Sequence, residues 1–461
     1  MSVQESQNLP IGRNIKIGFF HLGSGMADVI TTGIWNRIMI SDLGFSATPI
    51  GLLVALRYFL APLGVWAGRM SDQRAVGGYR RLFWVWLGRG MMAISILTLG
   101  LVTASLARGD SADLLRWVII TVSLLLFSLG NALSGSTFLA LIYDRTPGHQ
   151  RGRAVGIVWT FLLLGFTIGG VLFGVLLPSH EEGTTALSFT PETLQNLFVV
   201  AALILGSLWF FSLLGEERRV QDQARAAAKP DAKPSSLRED LRLAWSDRRT
   251  RFFFWFLALS MMFAFSQDLI LEPFAGDVFG MEARTTTRFA AYWGSMSILG
   301  TLAFLFLSRR YKRLTNTVMS NIGVGVLVVT FALFALSSFA GIRGLVTPGL
   351  ILLGLGLGFW NVGTLGLMMD MSPFGRAGTF LGFWTLVVTF ARGLGVSGGG
   401  ILRDLGLQMG ASLGVAYGLV FVIGAVGLAI SLWTLTQVHA HEFTQANQTS
   451  DTSQVFAGAL D

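Results

Sequence analysis

The sequence predicts an all-α integral membrane protein with about twelve transmembrane helices in two pseudo-symmetric halves of six helices each. Its 461 residues are 52% hydrophobic and only 13% charged, whereas an average soluble domain carries about 25% charged residues. Apolar stretches of the ~20 residues that a spanning helix needs recur along almost the whole chain. A short polar motif in the first half also returns half a chain later.

Turn residues and charges divide the apolar sequence into twelve predicted spans. The first six lie near residues 16–41, 47–69, 80–107, 114–143, 153–178 and 193–214. The second six lie near residues 251–273, 287–308, 315–339, 344–369, 376–402 and 410–437. We therefore predict a cytoplasmic segment at 1–15, an N-terminal half at 16–214, a cytoplasmic linker at 215–250, a C-terminal half at 251–437, and a disordered cytoplasmic tail at 438–461.

The repeated motif supports the two halves. Residues 143–147, YDRTP, are matched by residues 369–373, MDMSP, and each copy is followed by a short segment containing arginine and glycine. Parallel repeats of this kind are typical of transporters, whose binding site lies near the membrane midplane between the halves.

The basic residues predict the orientation. Most of the 34 Lys and Arg residues fall in the N-terminal segment, the even-numbered loops and the linker. The positive-inside rule places such loops in the cytoplasm, so both termini are predicted to be cytoplasmic. The net charge of +8 is therefore explained by the orientation of the chain across the membrane and does not predict nucleic-acid binding. The sequence has no cysteine, which excludes disulfides, thiolate metal sites and a cysteine nucleophile.

A glycine- and arginine-rich loop connects the second and third predicted spans. Residues 68–74 are GRMSDQR and residues 77–81 are GGYRR, which resembles the signature loop of the major facilitator superfamily. The resemblance implies a cytoplasmic gate at which Asp and Arg pair, with glycine allowing close helix approach. The predicted gate residues are Gly68, Asp72, Arg74, Arg80, Arg81, Asp144, Arg145, Asp370 and Arg376. The alternative is a basic turn with helix caps.

Two further segments resemble one family more narrowly. Residues 36–39 are NRIM, followed by Ala61-Pro62 and the GYRR of 78–81, and residues 267–274 are QDLILEPF. Over about residues 13–437 the chain resembles the PucC/LhaA, or bacteriochlorophyll delivery, family of the major facilitator superfamily.

That resemblance implies an accessory protein without enzymatic activity in a bacterial photosynthetic membrane, either intracytoplasmic or thylakoid. Its implied partners are light-harvesting, photosystem or reaction-centre membrane subunits, and pigment-synthesis enzymes. The implied cofactor is chlorophyll or bacteriochlorophyll. Neither a nucleotide nor a flavin is expected, because the glycine-rich runs lie inside apolar spans and lack the strand and Lys of a phosphate loop.

Charged groups at membrane depth are candidate functional residues, because they are costly to insert. At about 1.5 Å per residue, Asp28 and Arg57 lie at similar depths near the midplane, which predicts an ion pair between them. This pair either forms the polar floor of a central cavity or simply locks the first two helices together. A regular helix places Asn36 on the stripe of Asp28 and Arg37 about opposite it.

The seventh span carries a second polar group. Asp268 and Glu272 are spaced i, i+4 near its non-cytoplasmic end, close to Gln267. Because this span is the repeat partner of the first, we predict that Asp268 or Glu272 meets Asn36 or Arg37 there. We also predict that Pro273 ends the helix. The alternative is a pair of interfacial carboxylates that cap a loop.

His21 is the one histidine within a predicted span. It is therefore a candidate ligand for the magnesium of a pigment, although an interfacial histidine is more often simply solvated. No other metal site is predicted. Two function classes compete with antenna assembly: a proton-coupled secondary transporter of a small solute that uses Asp28 and Arg57, and a purely structural chaperone with a vestigial cavity.

Overall fold

The computed structural model describes residues 10–109, 114–146, 150–177, 189–217, 245, 247–311, 313–371 and 377–438, and nearly all of them are helical. The main helices are α1 (Ile11–Asp28), α2 (Ala47–Phe59), α3 (Pro62–Gln73), α4 (Leu82–Ala107), α5 (Leu114–Arg145), α6 (Arg151–Leu176), α7 (Pro191–Phe211), α8 (Arg248–Ala264), α9 (Leu271–Phe279), α10 (Ala283–Thr287), α11 (Phe289–Arg310), α12 (Asn316–Ala340), α13 (Val346–Asp370), α14 (Ala377–Gln408) and α15 (Leu413–Thr436).

Within the described part of the chain, ten helices are long and apolar enough to cross a membrane. The all-helical, multi-pass membrane class is therefore confirmed. The first and seventh predicted spans are not among the ten, because both are irregular. The first span continues from α1 through a π-helix at Val29–Ile34, one α-turn at Trp35–Arg37 and a second π-helix at Ile38–Asp42. The seventh is divided between α8 and α9.

Pro62 and Pro273 each lie at the start of a new helical segment. Pro62 is the first residue of α3, directly after a break in the second span. Pro273 lies in the first turn of α9, so the prediction that it ends the seventh helix is wrong. The physical reason is that the first backbone N–H groups of a helix have no partner within the helix, and proline loses nothing there.

The described residues group into two compact units. Unit 1 contains the described residues of Met1–Ala227, Asp268–Ser295 and Ser397–Met409. Within it, α1 crosses α6 closely: a Cβ at Gly25 would collide with the backbone of Leu162 and Gly165. Small residues at such crossings allow helices in a membrane to pack by direct backbone approach.

Unit 2 contains the described residues of Ala228–Gln267, Met296–Val396 and Gly410–Asp461. Its helices α12 and α13 also pack closely, because a Cβ at Gly323 would lie 2.7 Å from the Cα of Trp360. The predicted division of the chain at residues 215–250 remains a prediction, and most of that linker lies outside the described residues.

Candidate functional site

The first polar feature of unit 1 is an ion pair between α1 and α2. Arg57 Nη1 donates a hydrogen bond of 2.6 Å to Asp28 Oδ1, which confirms the predicted pairing. The Arg57 side chain is buried, whereas 28% of the Asp28 side chain is exposed. The Arg57 guanidinium also lies 4.9 Å from the ring of Tyr58. The pair therefore leaves part of the Asp28 side chain exposed.

The second feature lies where the first span ends. Asn36 Nδ2 donates to the carbonyl of Leu269 at 2.6 Å, and Arg37 Nη2 donates to the carbonyl of Met281 at 2.9 Å. Asn36 and Arg37 are both buried. Asn36 and Arg37 therefore reach the region of the seventh span through the backbone carbonyls of Leu269 and Met281, and the predicted contact with Asp268 or Glu272 stays a prediction.

Arg37 forms its ion pair with a residue that the sequence did not suggest. Arg37 Nη1 lies 2.9 Å from Asp42 Oδ1, and Asp42 follows on the same helical segment. The guanidinium also packs directly against Gly276, where no Cβ could be accommodated. Asp42 was missed because the first span was predicted to end at residue 41, whereas its second π-helix extends to Asp42.

The first span does not keep the angular spacing of side chains that a regular α-helix would have. Asp28 reaches Arg57 on α2, whereas Trp35 Nε1 donates to Thr103 Oγ1 on α4 at 3.0 Å and Asn36 reaches the residue before α9. π-Helical turns contain an extra residue and so shift the phase. The prediction of one polar stripe through Asp28 and Asn36 is therefore wrong.

The three predicted residues of the seventh span occupy different environments. Glu272 is buried in the first turn of α9, and its Oε1 would lie 3.8 Å from a Cβ placed at Gly33 on the first span. Asp268 is half-buried and acts electrostatically on Glu272. Gln267 is buried in the turn after α8 and belongs to unit 2. The structure therefore places Glu272 and Asp268, within unit 1, near the first span.

A neighbouring cluster was missed by the sequence analysis. Arg403 Nη2 lies 3.0 Å from Asp277 Oδ2, and Arg403 Nη1 lies 2.8 Å from Asp404 Oδ1. Asp404 Oδ2 in turn accepts a hydrogen bond of 2.7 Å from the backbone N–H of Thr48 in the first turn of α2. The eleventh span was predicted to end at residue 402, whereas α14 continues to Gln408. A longer helix would have kept both charges at membrane depth and marked them as candidates.

At the predicted cytoplasmic end, Arg81 joins three groups of the signature loop and of α5. It donates from Nε to Asp144 Oδ2 at 3.0 Å, lies 2.5 Å from Asp72 Oδ1, and donates to Ser71 Oγ at 2.5 Å. Burial alone would lower the pKa of Arg81, but its hydrogen bonds and attraction to Asp144 and Asp72 raise that pKa above its ordinary value. Arg81 therefore stays charged.

Glu217 holds the start of α4 beside this cluster. Its carboxylate accepts backbone hydrogen bonds from Arg80, Arg81 and Leu82 at 2.8–3.1 Å. An acidic group in this position satisfies N–H groups that have no partner within the helix and complements the helix dipole.

The other predicted gate residues are less closely connected. Arg80 Nη2 donates to the carbonyl of Asp72 at 2.7 Å, Arg74 is exposed and directly follows α3, and Arg145 is the last residue of α5. A Cβ at Gly68 would meet only Ser136 Oγ at 3.8 Å, so close approach occurs instead at Gly64, where a Cβ would lie 2.9 Å from the carbonyl of Ala132. Arg376 lies outside the described residues.

The repeat of the YDRTP motif is visible in the contacts of each unit separately. In unit 1, Asp144 near the end of α5 accepts from Arg81, which precedes α4. In unit 2, Asp370 at the end of α13 accepts a hydrogen bond of 3.0 Å from Asn316 Nδ2 at the start of α12. The two motif aspartates therefore tie equivalent helix ends together, one with a charged donor and one with a neutral donor.

His21 lies among aromatic side chains of unit 1. Its ring centroid is 4.9 Å from that of Phe138 and 5.9 Å from that of Trp159, and its Nδ1 lies 3.4 Å from Ser24 Oγ. Across the described residues, no group of three or more His, Asp or Glu side chains is arranged to hold a metal ion. If a magnesium-containing pigment bound here, His21 would be the residue to hold it, through the ring nitrogen that is not part of the Ser24 contact.

The profile of the PUCC protein family matches residues 34–443 of the chain. This range includes every membrane helix except the first part of the first span. The chain belongs to the PUCC protein family. The PUCC match also covers the Asn36–Arg37 segment, α9 and the signature loop.

Individual relatives agree with the PUCC assignment over nearly full length. Protein PucC of Rhodovulum sulfidophilum is 28% identical over 406 residues, covering 87% of this chain and 86% of the relative. The bacteriochlorophyll synthase 44.5 kDa chain of Rhodobacter capsulatus is 29% identical over 433 residues, covering 92% of this chain and 95% of the relative.

A solved structure supports the fold of the PUCC chain. A POT family transporter in complex with a thioalcohol-conjugated peptide superposes with a TM-score of 0.66 and 12% sequence identity, covering 93% of this chain and 97% of the transporter. At that identity the likeness concerns the fold alone, which is that of the major facilitator transporters.

Proposed function

We propose that this PUCC chain is an assembly factor for light-harvesting and photosystem complexes that binds (bacterio)chlorophyll or delivers it to pigment-binding membrane proteins. The observation that carries the proposal is the family match over residues 34–443. Relatives named PucC, and one named as a bacteriochlorophyll synthase chain, support it. The proposed partners are antenna and reaction-centre subunits together with pigment-synthesis enzymes. The proposed location is the photosynthetic membrane, with both termini cytoplasmic.

The buried polar groups of unit 1 support a binding role. Asn36 and Arg37 use their side chains to hold the carbonyls of Leu269 and Met281, and Glu272 lies buried close to the same segment. Polar groups at membrane depth are costly unless they serve a function or satisfy one another. We propose that this region opens or reshapes when a partner helix or pigment binds, without any catalytic step.

The alternative is a proton-coupled secondary transporter. The partly exposed Asp28 side chain beside Arg57 favours it, because a carboxylate at the predicted depth is a potential proton carrier. A structural chaperone with a vestigial cavity would use the same pair only to hold α1 against α2. Uptake of protons by proteoliposomes containing the purified chain, abolished by Asp28→Asn, would support the transporter.

The test of the proposed function is complementation of a photosynthetic bacterium that lacks its PUCC protein. We expect the full chain to restore assembled antenna complexes, measured from their near-infrared absorption per cell and by native electrophoresis. The purified chain should also co-purify with antenna subunits and show pigment absorption. Normal antenna levels in the deletion strain, or failure of a well-expressed chain to restore them, would contradict the proposal.

A further inference from the structure

Arg89 on α4 is a deeply buried cation in unit 1. It lies about 10 Å along the helix at roughly 1.5 Å per residue, and only 3% of it is exposed. Its guanidinium lies 4.4 Å from the ring of Phe20 and 4.9 Å from the ring of Trp209. Its Nη1 lies 3.3 Å from Met92 Sδ, and a thioether is a weak acceptor. None of these three groups offers an oxygen.

Two donors of this cluster have no acceptor. Arg89 Nε and Trp209 Nε1 are both buried without a hydrogen-bond partner among the residues that the structure describes. Such groups are uncommon in native proteins and cost about 1–3 kcal/mol each, more for a charged group. Because both donors belong to one group of packed side chains, an oxygen-bearing ligand would account for them together.

A row of aromatic side chains extends from Arg89 toward the exposed side of unit 1, and Phe20 and Phe138 within this row are fully buried. Phe20 stacks on Phe138 with ring centroids 3.9 Å apart, and His21 contacts Phe138 and Trp159. Trp159 is 48% exposed, so the aromatic row leads from a buried cation to an accessible ring. We call Phe20, His21, Arg89, Phe138, Trp159 and Trp209 the Arg89 cluster.

We propose that the Arg89 cluster binds a planar, largely apolar ring molecule that carries a carboxylate or carbonyl oxygen. The oxygen accepts from Arg89, and the ring lies against the exposed Trp159. His21 offers a nitrogen to a metal at the centre of such a ring. The inference rests on the proposed function for the class of ligand, whereas the site itself rests on the two unpartnered donors and the aromatic row that ends at the exposed Trp159.

The experiment measures binding to the purified full chain in mild detergent. The probes are magnesium protoporphyrin IX with free carboxylates, its dimethyl ester, and metal-free protoporphyrin IX, each titrated by absorption and by quenching of tryptophan fluorescence. We expect Arg89→Gln to weaken binding of the free acid about tenfold, the size of one charge-assisted hydrogen bond, and to affect the ester by less than about twofold. Arg89→Lys should retain part of the affinity for the free acid.

His21→Phe should weaken binding of the magnesium form relative to the metal-free form. Arg392→Gln is the matched control, because Arg392 in unit 2 also lies over an aromatic ring, 3.9 Å from that of Phe265. It should leave all three affinities unchanged. Thermal unfolding of every variant shows whether it is folded.

Absence of saturable binding by all three probes would overturn the inference. It would also be overturned if Arg89→Gln lowered thermal stability and weakened the acid and the ester equally, since Arg89 would then serve packing alone. Antenna assembly by Arg89→Gln is measured separately. Normal assembly with lost binding would contradict the pigment role in the proposed function while leaving the binding site in place.

Discussion

Arg57 Nη1 lies 2.6 Å from Asp28 Oδ1, joining the first two spans through opposite charges at a depth that the rise per residue predicts to be near the middle of the membrane. Without its partner, either residue would be an uncompensated charge. The insertion free energy of a charge at a helix centre is unfavourable by roughly 2.5–3.5 kcal/mol. The pair therefore stabilises the contact of α1 with α2 mainly because the alternative, a single unpaired charge, is costly.

We predict that Asp28→Leu or Arg57→Met alone lowers the amount of folded protein more than the double variant does. The double variant removes both charges and leaves an apolar contact. The measurement is the monodisperse fraction in fluorescence-detected size-exclusion chromatography. Thr160→Ala is the control, because Thr160 is exposed and its hydroxyl donates to the Gly156 carbonyl within its own helix. Additive losses would show that the two residues act independently.

We predict that Arg37→Ala and Glu272→Gln each impair antenna assembly while membrane levels of the protein stay near normal. Arg37→Ala removes the contacts to Met281 and Asp42, and Glu272→Gln removes a buried acid beside the first span. The measurement is the yield of assembled antenna complexes in the complemented strain, normalised to the amount of PUCC protein. Normal yields in both variants would show that these residues only cap a loop and have no role in antenna assembly.

We predict that Arg81→Ala lowers the melting temperature in detergent more than Asp72→Asn or Asp144→Asn. The two carboxylate side chains are 57% and 54% exposed, and exposed pairs contribute about 0–1 kcal/mol each. Arg81 contacts both and Ser71 as well, so its loss removes three contacts together. Equal effects of all three variants would show that the carboxylates dominate. The difference should shrink in 1 M salt, where exposed charges are screened.

We predict that both termini lie in the cytoplasm, from the distribution of basic residues. Alkaline phosphatase fused at residue 461 should be inactive, and a fluorescent protein that folds only in the cytoplasm should be bright at either end. A fusion within the loop between α4 and α5 serves as the opposite control, because that loop is predicted to be on the other side. Phosphatase activity at either terminus would reverse the predicted topology.

Local apolar composition was sufficient for the membrane class and for most helix positions. Spans such as α12 and α15 were predicted within a few residues, because about 20 apolar residues in lipid can satisfy their backbone only as a helix. Depth counted along regular helices was also enough to pair Asp28 with Arg57. The motif that contains Asp144 and its copy that contains Asp370 were recognisable in the sequence, and their equivalent contacts at helix ends agree with that repeat.

What the sequence determined by itself is therefore what local physics controls: burial in lipid, helix length and the depth of each charge. Only the tertiary structure decided the rest. It set the π-helical turns that direct Asp28 and Asn36 to different neighbours, the helix start at Pro273, and the partners of Arg37, Arg89 and Arg403. Those features depend on which distant side chains and carbonyls lie within hydrogen-bond reach, and a linear pattern does not contain that information.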